Sequence, residues 1–317
     1  MPNLNLVVLG TSIMWGQGLP DTEKIHTVLC KLLQDRVVDR TINVTFLAHS
    51  GSTTGYKLDG SIDEHHEPRL HGEVPTFYPT ILQQIDEIDQ HGFNRDEVDL
   101  ILLDAGVNDV SLISILNPLV RGKQIEDLVE IYCHQHMVML LHRLTVTFKN
   151  ARIFILGYYQ ILTEESQEKL IHTLLRAFEL VPDGFLIDKV VDHLEAPLKH
   201  RVVGNCETFA ASSLTAFEQS ANEVNTQLES KRVFVVPPAI DVHHAALAAD
   251  PWLFGIRDDL STEDPLTAER AAACEEAGIP RTVPLVCEKA SICHPNAKGA
   301  RAYAKQIFDL MLKEGGI

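Results

Sequence analysis

The chain has 317 residues, 45% of them hydrophobic and 22% charged, which supplies a sizeable buried core and argues against disorder. Its formal net charge is −17 and no stripe of Lys and Arg interrupts that acidity, so nucleic acid and anionic membrane surfaces are excluded as natural partners. No apolar stretch reaches the roughly 18 residues that a membrane span requires.

The first element, over 4–9, has an apolar run of only Leu6 to Leu9, no basic leader, and passes directly into a Gly-rich turn, which reads as a core strand and not a signal peptide. Further strand-like runs occupy 42–47, 100–104, 152–156 and 233–236, and helical spacing covers 23–36, 80–91, 125–148 and 295–312. Near-continuous apolar strands alternating with amphipathic helices predict a parallel sheet covered on both faces. The expected architecture is an α/β fold: a three-layer α/β/α, flavodoxin-like sandwich around five parallel strands. No repeat, low-complexity tract or linker divides the chain, so 1–317 is expected to be one domain.

Two stretches exceed a minimal version of that domain. The first, about 160–231, is helical in pattern and carries the apolar set Leu174, Leu175, Phe178, Leu180, Phe185, Leu186, Val190 and Val191, a helical insertion able to form a cap. The second, about 238–290, includes DPWLFGI. Both lie where substrate-shaping insertions occur in such sheets. The six cysteines (Cys30, Cys133, Cys206, Cys274, Cys287 and Cys293) form no CxxC pair and are expected as buried or free thiols of a reducing compartment, which favours the cytoplasm.

The chemistry concentrates at strand ends. The first strand runs into LGTSIMWGQGL, placing Ser12 at the sheet's carboxyl edge, where ligands bind in open α/β folds. Ser12 there is either a helix cap or an exposed hydroxyl with its N–H aimed at an oxyanion. A dinucleotide fingerprint fails, because Asp21 stands where the third glycine belongs and FLAHSG lacks the acidic residue for a ribose. The second strand ends in AHSGSTTGY, which supplies Gly51, and the third in LLDAGVNDV, which supplies Gly106 and Asn108. An Asn amide and a Gly N–H converging with the Ser12 N–H are the donors an oxyanion hole needs. Near the C-terminus, ASICHPNAKGARAYA places His294 before Pro295, which can open a helix and turn the imidazole toward the first strand as a general base.

In this order GTSIMWGQG, HSGSTTG, GVND and CHPNAKGARAYA resemble the four sequence blocks of the SGNH (GDSL-type) esterases and lipases. The resemblance spans the chain apart from the two insertions. It implies Ser12 as nucleophile, Ser12, Gly51 and Asn108 as oxyanion donors, and His294 as base, with hydrolysis through an acyl-enzyme and no metal or organic cofactor.

Two departures stand out. Thr11 occupies the place of the family's Asp before the serine, and Ser291 that of the triad Asp three residues before the histidine. Three accounts of Ser291 remain open. A backbone carbonyl or the Ser291 hydroxyl orients His294 in a dyad; a carboxylate from elsewhere substitutes, with Glu288, Asp241 and Asp109 as candidates; or the chain is a catalytically impaired, acyl-ligand-binding relative. The dyad is preferred because the oxyanion donors are all retained.

The substrate expectation is a small-molecule or lipid ester, from the apolar set at 174–191. A carbohydrate O-deacetylase or an acyltransferase of the same fold are the rivals. The pairs His65-His66 and His243-His244 lack metal-ligand spacing, and Cys293 reads as a packing thiol.

Overall fold

The computed structural model describes residues 3–88, 94–180, 188–262, 264–279 and 287–315, with side chains in the third segment described from 197 onward. Five strands, β1 (Leu4–Leu9), β2 (Ile42–Phe46), β3 (Leu100–Leu103), β4 (Arg152–Leu156) and β5 (Val233–Val236), form one sheet in the order β2-β1-β3-β4-β5. Every neighbouring pair is parallel. β1 and β3 are buried along their whole length, which is why β3 and the Leu6–Leu9 part of β1 are continuous apolar runs and not alternating ones. The order reverses between β1 and β3, and the crevice outside the carboxyl ends of those two strands is the natural ligand site of such a sheet.

The helices described are α1 (Ser12–Trp15), α2 (Ile25–Arg36), α3 (Ile81–Glu87), α4 (Val107–Val110), α5 (Leu112–Leu116), α6 (Gly122–Val129), α7 (His136–Thr147), α8 (Glu168–Ala177), α9 (Asp188–Gln227), α10 (Thr267–Glu276) and α11 (Ala297–Lys313). α2 packs against α11 to form one outer layer, while α6, α7 and α9 pack together as the other. Among the described residues no helix is long and apolar enough to cross a membrane.

Several sequence expectations need correction. The helix expected over 125–148 is broken into α6 and α7 by a π-helical turn, Glu130–Gln135. Carbonyls loosened there are met by Ser220 Oγ, 3.3 Å from the His134 oxygen, and Cys133 is turned against Gly106, leaving no room for a side chain. Pro295 does not open the last helix. Asn296 caps it, its side chain accepting from Lys298 and Gly299, so the helix begins two residues beyond the expected start at 295. Much of the stretch read as a possible cap is a layer helix, since α9 packs on α6, α7 and β5. Phe185 and Leu186, and the side chains of Val190 and Val191, lie outside the described residues, as does His91 of the helix expected over 80–91.

The cysteines are not all thiols. Cys274 on α10 is joined to Cys287 by a disulfide, while Cys30, Cys133, Cys206 and Cys293 are free. The two partners are 13 residues apart, a spacing that matches no familiar motif, so sequence offered no reason to pair them. The thiol argument for a reducing compartment therefore does not hold.

Candidate active site

The turn after β1 is built around Gly10. Its φ of +139° and the absence of a side chain are both needed, because a Cβ there would lie 2.0 Å from Asp104 Oδ1. Asp104 directly follows β3 and is fully buried, and it accepts hydrogen bonds from the Thr11 amide at 2.7 Å and from the Thr11 hydroxyl. Burial pushes its carboxyl up to about 6 against the opposing pull of those Thr11 donors. Thr11 thus ties the first strand's exit to the third strand. Gln84 of α3 adds a second tie, accepting from Gly10 N at 2.9 Å and donating to Gly10 O and Ser52 Oγ, each at 3.0 Å.

Ser12 then opens α1, whose first N–H groups have no acceptor within the helix. Its hydroxyl lies 2.7 Å from His294 Nε2, although 282 residues separate them. On the other side of the ring, Nδ1 is 3.2 Å from the Ile292 carbonyl. A carbonyl only accepts, so Nδ1 carries the proton and Nε2 presents its lone pair to the Ser12 hydroxyl. Burial lowers the imidazole from 6.5 to about 4, opposed by the Ile292 and Ser291 carbonyls and by Asp264 but reinforced by the Arg270 charge. His294 is therefore neutral at pH 7.

Gly51 sits at φ +84°, and a Cβ would come within 2.5 Å of the Thr76 nitrogen, so the backbone of this loop is packed as tightly as glycine permits. The Asn108 amide donates to the Ser52 carbonyl at 2.9 Å, which fixes its orientation and leaves its second N–H unused by that bond. Next to it, Asp109 accepts from the Thr54 amide and hydroxyl at 3.1 and 2.7 Å, locking the loops after β2 and β3 together. Burial raises the Asp109 carboxyl to about 6, with the Thr54 donors opposing.

Ser12, Gly51, Asn108 and His294 all line one cleft of about 650 Å³. Its walls are mostly apolar, with Ile13, Phe77, Leu112, Ile161, Phe178 and Ile292 among them. Among the described residues of the apolar set read as a possible cap, Phe178 lines this wall, while Leu174 and Leu175 are in the core.

The groups proposed to orient His294 are placed differently. The Ser291 hydroxyl points away from the imidazole and donates to Asp264 Oδ2 at 2.5 Å. Asp241 caps a short 3-10 turn through His243 N at 2.9 Å, Asp109 is engaged with Thr54, and the Glu288 side chain is exposed. The group that does meet Nδ1 is the Ile292 carbonyl. Sequence reasoning missed Asp264, and with it Arg270 and Glu73, since none belongs to a recognisable block. Arg270 grips Asp264 through both oxygens, at 3.1 and 2.9 Å, and Glu73 at 2.9 Å.

Other conspicuous residues lie apart from the cleft chemistry. His65 and His243 pair with Glu67 and Glu165, and His244 stacks on Trp252 with ring centres 3.9 Å apart. Among the described residues no three His, Cys, Asp or Glu side chains converge as metal ligands. Cys293 is buried, and that burial pushes its thiol up, away from reactivity.

No protein-family model matches the chain, and no curated protein matches it in sequence. In three dimensions it is similar to an extracellular lipase from Streptomyces rimosus, with a TM-score of 0.53 and 11% identity over 96% of this chain and 99% of that one. A phospholipase A1 from Streptomyces albidoflavus gives a TM-score of 0.49 with 13% identity, over 97% and 99% of the two chains. An acetyl xylan esterase from Butyrivibrio proteoclasticus gives 0.46 and 13%, over 100% of this chain and 66% of that one. At such identities the first likeness shows a common fold, that of the SGNH hydrolases.

Proposed function

We propose that this chain, which has the SGNH-hydrolase fold, is a serine ester hydrolase that works through an acyl-enzyme on Ser12. The observation that carries the reading is the 2.7 Å contact between the Ser12 hydroxyl and the unprotonated Nε2 of His294, at the floor of an apolar cleft. Ser12 Oγ attacks the ester carbonyl as Nε2 takes its proton. The oxyanion is met by the Ser12 and Gly51 N–H groups and by the free N–H of Asn108. His294 then passes the proton to the leaving alcohol and activates a water to release the acid. Orientation of the ring through a backbone carbonyl makes this a dyad.

The cleft's volume, about 650 Å³, suits a ligand of ordinary small-molecule size. Its apolar wall, with Phe178 and Phe77, favours esters whose acyl group carries several methylenes over acetyl esters. A panel of p-nitrophenyl esters tests both points. Turnover should rise with acyl length beyond acetyl and vanish in Ser12→Ala. Undiminished turnover in Ser12→Ala would remove the nucleophile assignment, and activity confined to acetyl esters would remove the acyl preference in favour of a deacetylase.

A further inference from the structure

Three charged side chains are withdrawn from water beside the His294 turn: Arg270 at 0% exposure, Glu73 at 1% and Asp264 at 0%. Buried charge is costly, and it persists only where each group is fully paired. Here pairing is dense. Beyond Arg270, Asp264 accepts from the Thr262 and Thr267 hydroxyls at 2.9 and 2.8 Å and from Leu266 N at 3.1 Å. Arg270 also donates to the carbonyls of Cys287 and Glu288, and the Cys274–Cys287 disulfide ties its helix to that same turn. Glu73, the second carboxylate, also accepts from Trp15 Nε1 at 2.8 Å and Gln17 Nε2 at 3.1 Å.

The cluster reaches the imidazole through the backbone. Ile292, whose carbonyl meets Nδ1, lies between two pinned residues. On one side, Ser291 is held by its hydroxyl to Asp264, and its carbonyl accepts from His294 N at 2.9 Å. On the other, Cys293 takes φ +67° and is fixed by Phe254 O at 2.9 Å and by the Tyr159 hydroxyl at 2.8 Å. Releasing either pin frees the peptide that decides which ring nitrogen is protonated.

We propose that Asp264, acting through the Ser291 hydroxyl, is a positioning residue that stands in for a carboxylate in direct contact with His294. It holds the Ile292 carbonyl against Nδ1 and so keeps Nε2 as the base facing Ser12. The proposal rests on the ester-hydrolase reading for its kinetic consequence and on the ring geometry alone for its structural one.

The test uses the full chain with ¹⁵N-labelled histidine. Imidazole nitrogen shifts should show His294 as a single Nδ1–H tautomer in the parent protein. In Ser291→Ala, a small deletion that leaves the Asp264–Arg270 pair in place, the shifts should move to a mixture of tautomers. In the same variant kcat should fall about 10²-fold with KM within about twofold, as expected for a misplaced catalytic group. Asp264→Asn should do the same. A single Nδ1–H tautomer in Ser291→Ala overturns the proposal whatever happens to kcat, as does kcat within about threefold of the parent. Should the parent protein turn over no ester, the tautomer alone decides, so failure of the ester reading is seen separately.

Discussion

Asn108 offers the sharpest perturbation of the site, because its amide has two separable tasks. One N–H is committed to the Ser52 carbonyl at 2.9 Å, and the other is available to an oxyanion. Asn108→Ala removes both. Loss of the oxyanion donor should lower kcat by about 10²–10³-fold, or roughly 2.7–4 kcal/mol of transition-state stabilisation. Because that bond strengthens only as charge develops, KM should hardly move. Loss of the other bond leaves the Ser52 carbonyl without this partner in a buried loop, at a cost of about 1–3 kcal/mol in folding stability. Steady-state kinetics on a p-nitrophenyl ester and urea unfolding separate the two effects. Asn108→Asp keeps the shape but sets a carboxylate against both acceptors, and it should be worse on both counts. If Asn108→Ala keeps kcat within about threefold of the parent, the oxyanion assignment is wrong, whatever the change in stability.

Three further outcomes follow from the geometry. With His294 lowered to about 4, the acid limb of kcat/KM should fall below about pH 5, and a limb at 6.5 would contradict the shielded ring. Asp104 and Asp109, raised to about 6, protonate first but keep an acceptor oxygen for Thr11 and Thr54, so they should leave little mark on the limb. Since the unfolded chain takes up the histidine proton first, this ring withdraws about 3 kcal/mol of stability as pH falls from 6.5 to about 4, so rates are best read promptly after the pH jump. Opening the Cys274–Cys287 bridge, which closes a loop of 13 residues, should cost about 3 kcal/mol and roughly 5–10 °C in melting temperature by calorimetry with and without reductant; an unchanged melting temperature would show that the bridge constrains little. Phe178→Ala should raise KM for long acyl esters while sparing acetyl esters, and an equal change for both would remove Phe178 from the acyl wall.

The fold was legible because two-sided burial leaves a plain signature: 6–9 and 153–156 are apolar runs with nothing to alternate against. The meeting of Ser12, Gly51, Asn108 and His294 at one cleft was legible because each follows a strand or precedes a helix within a short block, so local sequence specifies local geometry. Helix ends were read less well where a side-chain cap decides them, as Asn296 does for the last helix. Asp264 was not legible. It meets Ser291 across 27 residues and Arg270 across six, inside a stretch with neither strand nor periodic pattern to fix its register. The same holds for Gln84, whose bond to Gly10 spans 74 residues. Long-range polar pairing depends on the finished packing, and a single sequence carries little trace of it. Ser at 291 showed only that the carboxylate expected there is absent, which left a dyad, a carboxylate from elsewhere and an impaired relative all open.

On the proposed mechanism Ser12 is a nucleophile activated by His294. A fluorophosphonate, which phosphonylates activated serine hydroxyls much faster than ordinary ones, tests it without knowledge of the natural substrate. After incubation, intact-mass measurement and peptide mapping should show one adduct per chain, carried on the peptide containing Ser12. The adduct should be absent in Ser12→Ala and should form far more slowly in His294→Ala. An unmodified chain, or an adduct on another residue at the same rate in Ser12→Ala, would contradict the account.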